Sequence, residues 1–144
     1  MRIRSAKLIA AVIVCCLGTA AGAQDARLIG QFTWDDASED HGGYSGIEVS
    51  DDGKSFTVIT DRAYVVRGEL ERSEDRITGV SVMSRAMLRS TDGGSIKPFD
   101  RDAEGLAIRA DGRVFVSFER FHRVWTYSSA ESAAAWLPRH DDFA

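Results

Sequence analysis

The sequence predicts an all-β fold, about two blades of four-stranded antiparallel sheet following an N-terminal signal helix, and three observations predict it. Two stretches of the 144-residue chain repeat at a fixed spacing, Ser45 to Arg62 and Glu104 to Arg120, with Gly46 and Gly105 59 positions apart. Each stretch is a pair of β-rich runs around an Asp-Gly turn, the signature of a hairpin. Each is followed by a further apolar run that reads as another strand.

The first element lies before the repeats. Arg2, Arg4 and Lys7 precede the apolar run Leu8 to Leu17, and Ala21-Gly22-Ala23 stands just before Gln24. This is the basic, apolar and small-residue order of a secretory signal, so residues 1–23 are expected to be cleaved on export to the periplasm or beyond the cell. The apolar run is too short to cross a bilayer, which takes about twenty residues. Cys15 and Cys16 are the two cysteines of the chain and both fall inside the signal. The mature chain is thus fit for an oxidising compartment without a disulfide framework. Losing Arg2, Arg4 and Lys7 takes the formal net charge from −4 to −7. That surplus repels phosphate backbones, which excludes nucleic acid and, after signal cleavage, the membrane as expected partners. It also leaves many oxygen ligands for a hard cation.

In the first repeat, strands on either side of Asp51-Asp52-Gly53-Lys54 are followed by Tyr64-Val65-Val66 and by Ile77 to Met83 as third and fourth strands. Residues 84–98 read as a connection around Asp92-Gly93-Gly94. In the second repeat, strands flank Asp111-Gly112, and Val124, Trp125 and Tyr127 take the third place. The alanines at 130 and 133–135 suit a short helix, marginal in length when alone. Four antiparallel strands per repeat predict a partial β-propeller. With about two units before Ala144, residues 24–144 are expected to be the N-terminal fragment of a longer domain.

Counting outward from the turns locates the chemistry. Pairing Arg109 with Val114 brings Glu104 opposite Glu119, and the matching count brings Ser45 opposite Thr60, beside Asp61. Facing carboxylates repel unless a cation or an arginine neutralises them. The pattern therefore predicts a metal or substrate site with Asp61, Glu104 and Glu119 as catalytic residues and Arg62, Arg120 and Ser45 contacting substrate. Asp100, Asp102 and Glu104 are the predicted metal ligands, with calcium as the expected cofactor. A solvated cluster of ion pairs that finishes the strands is the bland alternative. Asp100 to Asp111 approaches the helix-flanked calcium-loop pattern, but Pro98 and a strand occupy the places of its helices. Gly43-Tyr44-Ser45-Gly46 misses the serine-hydrolase elbow by one residue and no helix follows. His41, His122 and His140 lack metal-ligand spacing, and no phosphate-cradling glycine loop or basic stripe is present.

These residues resemble the exported phytase-like family, "esterase-like activity of phytase". The likeness rests on Gly43-Tyr44-Ser45-Gly46-Ile47, Asp51-Asp52-Gly53, Thr60-Asp61-Arg62, Asp102-Ala103-Glu104-Gly105-Leu106 with Asp111-Gly112, and Val116-Ser117-Phe118-Glu119-Arg120 through Val124-Trp125-Thr126-Tyr127. It spans residues of about 30 to 128, the N-terminal part of a family member. The resemblance implies a propeller-like fold outside the cytoplasm and hydrolysis of small-molecule phosphoesters or carboxylic esters, with calcium as in propeller phytases. It makes Asp61, Glu104 and Glu119 the acidic channel residues and Arg62 and Arg120 their basic neighbours. Two rival expectations stand beside a metal-assisted hydrolase: a non-catalytic ligand- or cation-binding propeller, and an inactive truncated fragment. Oligomeric state is left open.

Overall fold

The two Asp-Gly turns reverse the chain because each glycine sits at positive φ, +68° at Gly53 and +83° at Gly112, where a side chain would be strained. A computed structural model describes residues 27–137, so the predicted signal, 1–23, lies outside the described residues. Around the first turn, β1 (Tyr44–Val49) pairs with β2 (Ser55–Thr60), the ladder starting where Ser50 N–H donates to the Ser55 carbonyl at 2.9 Å. β3 (Tyr64–Ser73) and β4 (Arg76–Met87) complete an antiparallel sheet in the order β1-β2-β3-β4. Around the second turn, β5 (Ala103–Ile108), β6 (Val114–Phe118), β7 (Arg123–Tyr127) and the two-residue β8 (Ala135–Trp136) repeat that order.

The repeat predicted from sequence is therefore two four-stranded antiparallel sheets, and no closed ring is formed among the described residues. Three details differ from expectation. β3 and β4 run well past Tyr64–Val66 and Ile77–Met83, because the polar residues between them pair through backbone bonds that need no apolar pattern. The alanine run makes no helix: Ser132 Oγ accepts from Ser128 N–H at 3.1 Å and closes a turn, and Ala135 enters β8. In the second hairpin the Arg109 N–H bonds the Arg113 carbonyl at 2.9 Å, so Ile108 and not Arg109 faces Val114. The second turn is one residue shorter than the first, and that moves the whole ladder by one place.

The main core lies between the sheets. Ile59, Val65 and Leu88 from the first side meet Val114, Val116, Phe118, Trp125 and Tyr127 from the second. Burying a side chain such as Ile59 stabilises by about 1.5–3 kcal/mol. The edge strands β1 and β5 of the two sheets touch at Gly46, where a Cβ would stand 2.9 Å from Leu106 Cβ and 3.0 Å from its backbone nitrogen. On the outer face of the first sheet, Phe56, Val58 and Val66 are covered by Trp34, Tyr44, Leu70 and Val80. This seam brings the open ends of both hairpins to one rim.

Candidate functional site

The rim is shaped by two β-bulges at corresponding positions. In the second hairpin Ala103 pairs with Phe118 and Gly105 with Ser117, leaving Glu104 as the extra residue. Glu104 is thus not directly opposite Glu119, as the count from the turn required. Instead Glu119 N–H donates to the Asp102 carbonyl at 2.9 Å, adding one rung beyond the strand. The bulge turns Glu104 back towards that rung, and carboxylate oxygens of Asp102, Glu104 and Glu119 lie within 4.8 Å of one another. Glu104 and Glu119 are exposed and Asp102 is half-buried.

The first hairpin has the same backbone with other side chains. Tyr44 pairs with Thr60 and Gly46 with Ile59, so Ser45 is the bulge residue, and Asp61 N–H donates to the Gly43 carbonyl at 2.8 Å. Gly43, at φ +64°, corresponds to Asp102, at φ +31°. A side chain at Gly43 would run into the Asp61 carboxylate. Ser45 donates to the Ala103 carbonyl at 2.6 Å, and Ala103 N–H to the Asp61 carbonyl at 3.2 Å. These two bonds tie the hairpins together.

Beside the three carboxylates is a depression of about 290 Å³ lined by Asp61, Arg62, Phe99, Arg101, Asp102 and Arg120, with Pro98 at its edge. Asp102 belongs to both. Arg120 Nε approaches Asp102 at 3.4 Å, and its guanidinium sits 4.5 Å above the Phe99 ring. Arg62 Nε lies 3.7 Å from Asp61, while its Nη2 is shared among the carbonyls of Asp40, His41 and Gly42 at 3.2, 3.4 and 3.2 Å and its Nη1 donates to the Glu39 carbonyl at 3.4 Å. Much of the hydrogen-bonding capacity of Arg62 is therefore spent on the loop before β1. His41 in that loop meets the Tyr44 hydroxyl at 2.9 Å and stacks edge-on against Trp34.

Of the predicted metal ligands, Asp102 and Glu104 come together and Glu119 joins them. Asp100 does not: it ends a 3-10 turn, Pro98–Asp100, and lines a different cleft, where its carbonyl accepts from Arg123. Asp111, at the far turn, is paired with Arg109, whose guanidinium together with the Arg113 N–H holds its pKa well below the carboxylate range. Arg101 and Phe99 were missed in the sequence. An arginine between two aspartates was the available signal, but nothing in the spacing sets its direction.

The donor set suits a hard cation. Calcium takes six to eight oxygens at 2.3–2.6 Å, so oxygens on one ion stand up to about 5 Å apart, and three carboxylates offer up to six. Among the described residues, Arg120 is the basic side chain that forms an ion pair with this group.

A family model described as "Phytase-like: Esterase-like activity of phytase" matches residues 39–144, which contain both hairpins and every residue of this rim. No curated protein and no solved structure matches the chain.

Proposed function

The chain belongs to the phytase-like family, described as esterase-like activity of phytase, and on that premise we propose that it is an exported hydrolase of small-molecule phosphoesters or carboxylic esters, assisted by calcium. The observation that carries this reading is the convergence of Asp102, Glu104 and Glu119 beside an arginine-lined depression. The three carboxylates would hold the ion, which supplies Lewis acidity towards an ester or phosphoester oxygen. Arg120 and Arg101 face the same depression and would hold the anionic group of the substrate by charge-assisted hydrogen bonds. Asp61, exposed at the other side of it, is the carboxylate placed to accept a proton from an attacking water. Arg62 orients Asp61 through its ion pair while holding the loop before β1. The basic, apolar and small-residue run of residues 1–23 supports action in the periplasm or outside the cell. The two sheets, each a simple four-strand meander, support a propeller as the parent architecture.

A second reading keeps the cation and drops the chemistry. Ser45 and Arg62 bond main-chain carbonyls, which suits a rim whose ion and arginines serve structure alone. The test is calcium titration of the mature chain by calorimetry, together with turnover of an aryl phosphate and an aryl ester. Calcium-dependent turnover that is lost in Glu104→Gln is the expected result. Calcium binding with no turnover of either substrate favours the structural reading, and the hydrolase reading is abandoned if the chain is inert and binds no calcium.

A further inference from the structure

The depression beside the carboxylates is lined by three arginines and two aspartates, and the arginines are committed to different degrees. Arg62 is fully engaged, with Nε near Asp61 and both outer nitrogens on carbonyls of residues 39–42. Arg101 is the opposite case. Its Nε donates at 3.1 Å to the carbonyl of Ile96, a core residue 2% exposed, which fixes the base of the guanidinium. Its two outer nitrogens donate to no partner among the described residues and, unlike Nε of Arg123, are not buried, so they are open to solvent. Arg101 also forms no ion pair there. Once each aspartate of the depression has its arginine, the charge of Arg101 is left over.

Arg120 stands between these cases. Its Nε is 3.4 Å from Asp102, in an ion pair half exposed on the arginine side, and its guanidinium rests 4.5 Å above the exposed Phe99 ring. Asp102 is also one of the three carboxylates whose oxygens lie within 4.8 Å of one another. An exposed ion pair of this length is weak, and a hard cation bound at about 2.3–2.6 Å takes the carboxylate in preference. The Phe99 ring is a second, uncharged support, so Arg120 keeps a seat at the depression when Asp102 is taken. Net charge points the same way. In the empty protein Asp61, Asp102, Glu104 and Glu119 outnumber the three arginines by one, which disfavours an anion; one divalent cation turns that into a surplus of one positive charge.

We propose that Arg101 is a standing anion anchor and Arg120 a conditional one, released by a cation on Asp102, so that the cation and a small oxyanion bind this rim with positive coupling. The coupling rests on the calcium-binding reading of the acidic cluster and goes beyond it by giving the two arginines unequal parts.

Calorimetric titration of the full chain tests it, first with calcium alone and then with phenylphosphonate, whose P–C bond resists hydrolysis, with and without saturating calcium. Protein-free blanks correct for pairing of calcium with phosphonate. Phenylphosphonate should bind at least about fivefold tighter with calcium, and calcium should gain the same factor from phenylphosphonate, because coupling is reciprocal. Arg101→Gln should weaken phenylphosphonate about tenfold with or without calcium. Calcium affinity in that variant should stay within about twofold of the parent, which also shows that the rim is still folded. Arg120→Gln should leave phenylphosphonate binding without calcium unchanged and remove most of the calcium enhancement. Absence of enhancement, enhancement that survives Arg120→Gln in full, or calcium-free binding that drops as far in Arg120→Gln as in Arg101→Gln overturns the coupling and leaves the calcium site and hydrolysis standing. A chain that binds no calcium overturns both readings, and coupling without turnover of any ester supports the anion site while removing the hydrolase.

Discussion

Replacing Asp102 by glycine and, separately, by alanine isolates the backbone cost of the acidic cluster. Asp102 holds φ +31°, while its counterpart in the first hairpin is Gly43 at φ +64°. Both replacements remove the same carboxylate and the same 3.4 Å contact with Arg120, so those effects cancel in the comparison. What remains is the left-handed backbone. An L-residue there costs about 1–2 kcal/mol relative to its ordinary conformations. Against this, glycine loses about 0.5–1 kcal/mol more than alanine in unfolded-chain entropy. The net expectation is that Asp102→Gly is more stable than Asp102→Ala by about 0.5–1 kcal/mol, the reverse of the order in an ordinary strand. For a domain of this size that is about 2–6 °C in melting temperature. Thermal or urea unfolding of the two variants in the absence of calcium measures it. If the alanine variant is as stable as the glycine variant or more so, the residue carries no left-handed penalty, and the equivalence of Asp102 with Gly43 is refuted.

Two further expectations follow from the seam and from the turns. Gly46→Val places new atoms against Leu106 Cβ and its backbone nitrogen, at 2.9 and 3.0 Å from the first added carbon, and should cost about 1–3 kcal/mol; an unchanged urea midpoint would show that β1 and β5 do not meet there. The carboxylates of Asp52 and Asp92 have lowered pKa values from the Ser50 and Ser90 hydroxyls first and turn N–H groups second, and Asp111 from Arg109 first. Their folded pKa lies below the unfolded one, so this stabilisation is complete above pH of about 5 and is lost progressively as the pH falls through the unfolded and then the folded values. Melting temperature should be flat from neutral pH down to about 5 and fall below 4, with a shallower fall in Asp111→Asn.

The strands that build the core were legible because their side chains are forced to alternate: Phe56 and Val58 face outward under Trp34, and Ile59 faces the second sheet. The length of β3 and β4 was not, since Arg67 to Arg76 pair by main-chain bonds whatever their side chains. The bulges at Ser45 and Glu104 carry no compositional mark beyond the glycine that follows each. For that reason the proximity of Glu104 to Glu119 was inferred from a register one residue out, and holds for another cause, the added rung at Asp102. Asp100 was expected beside Asp102, but the 3-10 turn ends at it and the two residues line separate cavities. The cleft that Asp100 lines depends on β8, two residues long, whose pairing with β7 has no periodic signal of its own.

The two hairpins show how the rim acquires its charge. Their backbones agree in the bulge, in the added rung and in the left-handed residue before the first strand, so geometry alone does not distinguish them. Three positions do. The first copy has Gly43, Ser45 and Asp61, one carboxylate in all, and the second has Asp102, Glu104 and Glu119, three within reach of a single ion. In the first copy Ser45 uses its hydroxyl to tie the sheets together, and the missing side chain at Gly43 leaves room for Asp61. The same frame therefore makes a seam on one side and a concentration of negative charge on the other. Strain at Asp102 and repulsion among the three carboxylates both weigh against the second arrangement in the empty protein. A cation held by all three carboxylates offsets the repulsion, so calcium should raise the melting temperature of the parent chain and raise it less in Asp102→Gly, which lacks one of the three ligands.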